Sequence, residues 1–455
     1  MAADTATPAA KPRVAVLIPS WNGRAHLETC LAALAEQHDP GVPWEVRVLD
    51  NGSSDGTAEW LRREWLPRDR PRVHLVGSER NLGFAAGVNR LVESAADADL
   101  VAFLNNDTRP RREWLGELVA ALAGAPADVA AVSGCILDWE GERLDFGRGV
   151  VTFDGHAFQL DYRRPLAAAR VPKAGDELPF ACGGNLLVRR DRFLAAGGFD
   201  PAYFAYYEDV DLGWRLWAGG HRVLAAPSAV VHHRSGATSE LLGLYRRGFL
   251  FERNAFLTVY KNADDELWPR LMPVVMLTLL ARSQHLLTHA NPGGEALAVD
   301  PYAAASAVAP AASATSPNGA AAALLSGPPR FGNLRRGDLV GAWRSVRRRL
   351  ARLASAPSAS QDGVQPPRLT DERTVAQLQA VSSLVGNLDG AAERRARTQA
   401  ARKVPDREIL ARFPLWVVPT YPGDDALFAS PGFRSWLPTD VPLVEAKLSD
   451  VMEWS

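Results

Sequence analysis

Apolar and polar positions alternate in blocks along the first half of the chain. Arg13–Ile18 (RVAVLI) is a short apolar run of the kind a buried strand needs. Trp44–Asp50 (WEVRVLD), Val73–Val76, Leu100–Leu104 and Val129–Ser133 repeat it. Between these runs the apolar residues recur at helical spacing. Leu27, Cys30, Leu31 and Leu34 fall on one face, and Gly56–Trp65, Ala85–Ala95 and Trp114–Ala123 read as helices too. Strands alternating with helices predict an α/β fold, a mainly parallel sheet flanked by helices on both faces.

After Cys135 the pattern breaks into short, Gly-punctuated pieces up to Phe180. A helix is predicted over Glu208–Ala218, short strands over His221–Ala225 and Ala229–His232, and helices over Ser239–Asn262 and Glu266–His289. Around Ala298–Pro329 the composition collapses to Ala, Ser, Pro and Gly, as in a linker. Beyond it lie an Arg-rich helix near Leu339–Leu353, a helix near Asp371–Leu388 and a Trp/Pro-rich tail. The expected organisation is a tail over 1–12, an α/β domain over 13–240, a helical extension over 241–297, a linker over 298–330, and a mostly helical C-terminal region over 331–455.

Composition narrows the classes. The 455 residues carry a formal net charge of -1, so no nucleic-acid partner is expected and any basic function must be local. The 3 cysteines, Cys30, Cys135 and Cys182, form no C-x-x-C pair and fit a reducing, cytoplasmic setting. Met1–Lys11 lacks the pattern of a signal peptide. The longest apolar run, near Leu271–Ala281, is far short of the ~20 residues that span a bilayer.

In a parallel α/β sheet ligands bind at the carboxyl ends of strands. The first strand ends in Pro19-Ser20-Trp21-Asn22-Gly23 and the second in Asp50-Asn51-Gly52-Ser53-Ser54-Asp55. Turn and cap chemistry explains either loop alone. Together they put a carboxylate, Asp50, where it could accept the N3–H of uracil or thymine, with backbone near Pro19 and Asn22 against base and ribose. Asn81-Leu82-Gly83 opens a helix whose small residues, Gly83, Ala86 and Gly87, would admit a phosphate, although helix–strand packing explains them as well. The fourth strand runs straight into Asn105-Asn106-Asp107. A carboxylate there could hold Mg²⁺ or Mn²⁺ against a diphosphate, or cap a helix starting near Arg111. Glu208-Asp209-Val210-Asp211 is an acidic helix start. It could complement the helix dipole, or offer a base to an attacking hydroxyl. His232 and His233 end a strand and point to opposite faces, so one of them at most is a ligand.

The order and spacing of these loops resemble family 2 glycosyltransferases of GT-A fold, especially rhamnosyltransferase-like members. The matching segments are Ile18–Gly23 (IPSWNG), Leu49–Thr57 (LDNGSSDGT), Asn81–Asn89 (NLGFAAGVN), Leu104–Thr108 (LNNDT), Cys182–Asp200, Tyr207–Trp214 (YEDVDLGW) and the strand end at His233. The resemblance implies that Pro19, Trp21, Asn22, Asp50, Asn51 and Asp55 meet the base and ribose. It adds Asn81, Gly83, Asn89, Asn106 and Gly184 to the nucleotide-sugar site. It makes Asp209 the catalytic base of an inverting transfer and puts Glu208 and Trp214 on the acceptor. Asp107 matches the last acid of a D-x-D-like metal motif, and His233 a histidine that completes the metal site in some relatives. Asn105 stands where that motif often begins with Asp, which puts metal dependence in doubt.

The function implied is transfer of rhamnose or a related sugar from a UDP- or dTDP-sugar to a hydroxyl of a cell-surface glycan or lipid-linked acceptor, assisted by a divalent cation. A nucleotidyltransferase should open with a basic Gly-rich loop, and a processive synthase should carry Q-x-x-R-W. This chain has neither. A non-catalytic nucleotide-sugar-binding protein is the remaining alternative, and the joint presence of Asp50, Asp107, Asp209 and His233 speaks against it. In Leu339–Leu353, Leu339, Trp343, Val346, Leu350 and Leu353 make one helical stripe beside Arg344, Arg347, Arg348, Arg349 and Arg352. Such a helix either packs on the catalytic domain or lies on an anionic membrane, holding the enzyme peripherally at its inner face.

Overall fold

The computed structural model of the protein describes residues 11–234, 243–298 and 369–453. The linker over 299–330 and the Arg-rich stretch Leu339–Leu353 lie outside these residues. Strand β1 (Val14–Ser20) is followed by α1 (Arg24–Ala35), β2 (Trp44–Asn51), α2 (Thr57–Glu64), β3 (Val73–Ser78), α3 (Gly83–Ser94) and β4 (Leu100–Leu104). Side chains on β1 alternate between two cores: Ala15 and Leu17 enter one, and Val14, Val16 and Ile18 the other. That double burial is why these strands read as unbroken apolar runs.

Next come β5 (Thr108–Pro110), α4 (Trp114–Ala123), β6 (Val129–Asp138), β7 (Leu144–Phe146), β8 (Gly149–Val151), β9 (Ala157–Gln159), β10 (Asn185–Arg189), α5 (Arg190–Ala195), α6 (Glu208–Ala218) and β11 (Arg222–His233). The main sheet runs β3-β2-β1-β4-β10-β6-β11-β5, with β7 paired to β6. It is largely parallel but mixed. The β10 strand lies antiparallel between β4 and β6, and edge strand β5 is antiparallel to β11. The sequence pattern does not reveal β10. Its five residues pass directly into α5, with no polar turn to set them off.

Two boundaries differ from expectation. Arg222–His233 is one strand, not two, and the gap in its pattern is a register shift between Ala226 and Val230 that contains Pro227. After Asp107 the chain makes edge strand β5 before α4 begins at Trp114, so no helix starts at Arg111, whose N–H bonds Val230 O instead.

Helices α7 (Gly243–Asn262) and α8 (Trp268–His289) cross the domain. They are joined by α9 (Glu372–Gly386), α10 (Leu388–Ala401), α11 (Asp406–Arg412) and the small pair β12 (Leu415–Val417) and β13 (Leu443–Glu445). A buried ionic network fastens this part to the sheet domain. His156 lies 3.0 Å from Glu252 and 3.1 Å from Asp154, and Arg282 joins Asp154 to Asp424 at 2.8 Å each. Burial opposes charge on His156, but Asp154 and Glu252 outweigh it and push its pKa up to about 9. Against burial, the same histidine leads the groups that hold Glu252 down to about 2. By length and composition α8 could cross a membrane. In this fold its Leu271, Val274, Val275 and Leu286 are core, and Arg282 is tied into the network.

Candidate active site

The ends of β1 and β2 are laced together. Asn22, at φ 49°, donates its N–H to Ser53 Oγ at 2.9 Å and accepts from Ser54 N at 2.8 Å. Asp50 is buried and accepts from Ser53 N at 3.1 Å, which fixes the carboxylate at the rim. Pro19 and Trp21 flank the loop partly buried. Asp55 is engaged internally, accepting from Arg24 N and Thr57 Oγ1 as it starts α1 and α2.

Several residues expected at the nucleotide sugar carry internal bonds. Asn51 accepts from Leu82 N and donates to Asn81 Oδ1 and Gly83 O, and Asn81 accepts from Gly83 N. Asn89 grips both backbone groups of Phe199. Gly83 has φ +82°, and a Cβ there would meet Phe204 O at 2.5 Å. The close approach at the start of α3 is to the Phe204 backbone, whose carbonyl accepts from Ala85 N. Asn106 is buried, donating to Ser20 Oγ at 3.0 Å, and Gly184 packs against the Asn105 side chain.

On the far side of β4, Asp107 is buried and its Oδ1 lies 3.3 Å from His233 Nε2. His233 Nδ1 lies 2.8 Å from Asp145 Oδ2. His232 turns to the opposite face and accepts from Arg111 Nε. Asp145 is a member that sequence reading missed. Its one signal is an acid between two apolar residues in LDF. Burial lowers the pKa of His233, but bonds to Asp107 and Asp145 outweigh it and raise the value to about 10. These residues fit a divalent cation in part. A carboxylate and an imidazole Nε2 face each other, and a second carboxylate orients the ring through Nδ1. Among the described residues no group of three or more such side chains is placed to hold a metal, so most ligands would be diphosphate and water oxygens.

The three acids of α6 have three fates. Asp211 is fully buried, pairs with Arg215 and Lys261 at 2.7 Å each, and is held down to about 2 by Arg215 and Lys261 in spite of burial. It is structural. Asp209 accepts from Gly183 N at 3.0 Å and Val210 N at 2.8 Å, and burial raises its pKa. Glu208 is buried with Oε2 lacking a hydrogen-bond partner. Burial and then Asp209 raise it well above the usual carboxylate range. Both acids of the pair are thus pushed toward the protonated form, Glu208 by burial and its neighbour and Asp209 by burial. The neighbouring Cys182 thiol is raised by burial, then by Asp209, with Asp145 and Glu208 also contributing.

The loop that delivers this pair is strained. Phe204, Tyr206 and Tyr207 all have positive φ, at 64°, 70° and 65°. It is held from α7. The Asn254 Nδ2 group donates to Tyr203 O at 3.0 Å and to Ala205 O and Tyr206 O at 2.8 Å each, while Arg253 donates to Ala202 O and Tyr203 O. Sequence reading missed Asn254, since an Asn inside an amphipathic helix carries no signal of its target. Trp214 does not join the site. It is buried, its indole donates to Asp406 at 2.8 Å, and with Val210 and Trp217 it lines a cavity of ≈ 460 Å³ beside Ile409, Leu410 and Phe413.

Residues 15–194 match the family model described as Glycosyl transferase family 2. The chain is 32% identical over 243 residues to the N-acetylglucosaminyl-diphospho-decaprenol L-rhamnosyltransferase of Mycobacterium tuberculosis, covering 49% of this chain and 76% of that protein. It is 35% identical over 236 residues to glycosyltransferase AglE of Haloferax volcanii, covering 51% and 70%. Among solved structures it is similar to the mannosyltransferase PcManGT of Pyrobaculum calidifontis in complex with GDP-Man and Mn2+. That match has 21% identity, 84% and 88% coverage and a TM-score of 0.43.

Proposed function

Because this chain belongs to glycosyltransferase family 2, and so is a sugar-transferring enzyme, we propose that it moves a sugar from a UDP- or dTDP-linked donor to a hydroxyl of a lipid-linked or glycan acceptor, with inversion. The observation that carries the reading is the Glu208/Asp209 pair. It is an acid pair on a strained helix start, with Glu208 buried and Asp209 half-buried, Asp209 oriented by Gly183 N–H and Glu208 Oε2 left without a partner. A carboxylate with a raised pKa is a better proton acceptor than an ordinary one, and Asp209 takes the proton of the acceptor hydroxyl as its oxygen attacks the anomeric carbon. Attack from the face opposite the leaving diphosphate inverts that centre, through an oxocarbenium-like transition state. Glu208 helps to bind the acceptor. Asp50 receives the N3–H of uracil or thymine, which both bases share. A divalent cation, when bound, neutralises charge on the leaving diphosphate, and Asp107 and His233 are the residues that would hold it. The M. tuberculosis relative is named for rhamnose and a decaprenol-linked acceptor, and we carry both to this chain as the preferred donor sugar and acceptor class. The experiment is a screen of the purified protein against UDP- and dTDP-sugars with a prenyl-diphosphate-linked acceptor, reading nucleotide release. Release from dTDP-rhamnose that depends on acceptor supports the reading. No release with any donor or acceptor refutes it.

A further inference from the structure

The outer face of the sheet edge carries a group of cations that the transfer reaction does not use. On β5 and β11, His233 pairs with Thr108 and His232 with Arg109, so Arg109 and His232 lie on the face opposite the donor side. Arg234 follows two residues after His232 on the same face. Trp139, just past β6, is the floor of the group. The Arg109 guanidinium stacks 4.6 Å from its ring centre, the Arg234 guanidinium 3.9 Å from it, and Arg109 also donates to Trp139 O at 3.0 Å. Arg111 joins through His232, whose Nε2 it approaches at 3.3 Å. Burial, then Arg109 and Arg111, hold His232 below its ordinary pKa, so it is the neutral acceptor within this set.

Among the described residues, none of Arg109, Arg111 and Arg234 has a carboxylate at ion-pair distance. Their neighbour Arg112 does, pairing with Glu36 at 3.0 Å. All three are exposed. Charge on an edge strand discourages pairing with another sheet, and that explains Arg109 alone. It does not explain two guanidiniums stacked on one indole with a third beside them on His232, in a chain whose net charge is only -1. Like charges held together without a counter-ion favour an external anion. Guanidinium forks match phosphate oxygens, and an indole suits the boundary between headgroups and acyl chains.

We propose that Arg109, Arg111 and Arg234 around Trp139 form a docking surface for the phosphate headgroups of an anionic membrane. The choice of a membrane rests on the reading above that the acceptor is lipid-linked. The patch follows Asp107 by two residues and His233 by one, so docking here brings the sheet edge that carries Asp107 and His233 near the bilayer where such an acceptor is held.

The test is sedimentation of the full chain with phosphatidylglycerol vesicles and with phosphatidylcholine vesicles. Wild type should bind the anionic vesicles alone and be released at about 0.5 M salt, where screening falls to a few ångströms. The triple variant R109Q/R111Q/R234Q should partition roughly 100-fold less, at about one basic residue's contribution each. Nucleotide affinity and transfer to a soluble acceptor should be unchanged in the variant, which separates a lost surface from a lost fold. Trp139→Ala should weaken binding less than the triple change. Equal partitioning of wild type and variant, no partitioning of wild type, or release by millimolar inorganic phosphate at constant ionic strength would each overturn the proposal. If docking holds but no prenyl-linked acceptor is used, the acceptor assignment fails and the docking surface stands.

Discussion

Removing the three hydrogen bonds that Asn254 gives to the loop before α6 should silence the enzyme without unfolding it. Asn254→Asp keeps the shape of the side chain and loses every donated N–H. Tyr203 O keeps a partner in Arg253, Ala205 O is left without its Asn254 bond, and Tyr206 O loses the bond from Asn254. Each orphaned carbonyl costs about 1–3 kcal/mol. Three residues held at positive φ store roughly 1–3 kcal/mol each, so the loop has reason to relax once the clamp is gone. Taking about 2 kcal/mol as the lower end, the fraction with Asp209 correctly placed falls roughly 30-fold, and kcat with it. The proposed nucleotide pocket lies at the ends of β1 and β2, so UDP affinity by calorimetry should stay within about twofold, well under the 1.4 kcal/mol that a tenfold change represents. Circular dichroism and a thermal melt check that the variant is folded. A folded Asn254→Asp with wild-type kcat at saturating donor would refute the claim that α7 positions the base.

Other outcomes follow from the same geometry. Asp50→Ala should weaken UDP and dTDP binding alike, by roughly 1.5–3 kcal/mol for a bond to a charged acceptor, and unchanged calorimetric affinity would make Asp50 structural. EDTA should weaken UDP binding to wild type and to His233→Ala, but have little effect on Asp107→Ala. Identical affinities with and without EDTA in wild type would remove the cation from the account. The buried His156 is charged in the fold up to about pH 9 against an ordinary 6.5. Its contribution is thus complete below pH 6.5 and lost as pH rises through 9, at up to about 1.4 kcal/mol per unit. Urea midpoints measured from pH 6 to 9.5 should fall for wild type and fall less steeply for His156→Gln. Parallel slopes would contradict this.

Much of the frame is legible from residue pattern because it rests on repetition. Strands buried on both faces need continuous apolar runs, and β1 and β4 have them. Asp50, Asp107 and Asp209 stand out as candidates because each lies at or within a few residues of the end of a regular element. What escapes has no local signature. β10 is five residues run into a helix. Asp145 acts by holding a histidine 88 residues away, and Asn254 by reaching a loop about 50 residues earlier. Conversely, Asn51, Asn81 and Asn89 belong to matching loops and serve the fold, because a polar residue at a strand end is as apt to satisfy backbone as to meet a ligand. Asp55 and Trp214 show the same ambiguity, and only their partners, Thr57 and Asp406, resolve it.

The most direct measurement is the single-turnover rate of Asp209→Asn with saturating donor and acceptor, alongside its affinity for nucleotide. The substitution keeps the side chain's shape and one of the two oxygens that accept from Gly183 N and Val210 N, and removes the proton-accepting carboxylate. A positioned general base contributes about 10²–10⁴-fold, so the rate should fall by at least 100-fold while UDP and dTDP bind as in wild type. A variant that turns over near the wild-type rate would show that Asp209 is not the base and that the acid pair on α6 does not carry the transfer.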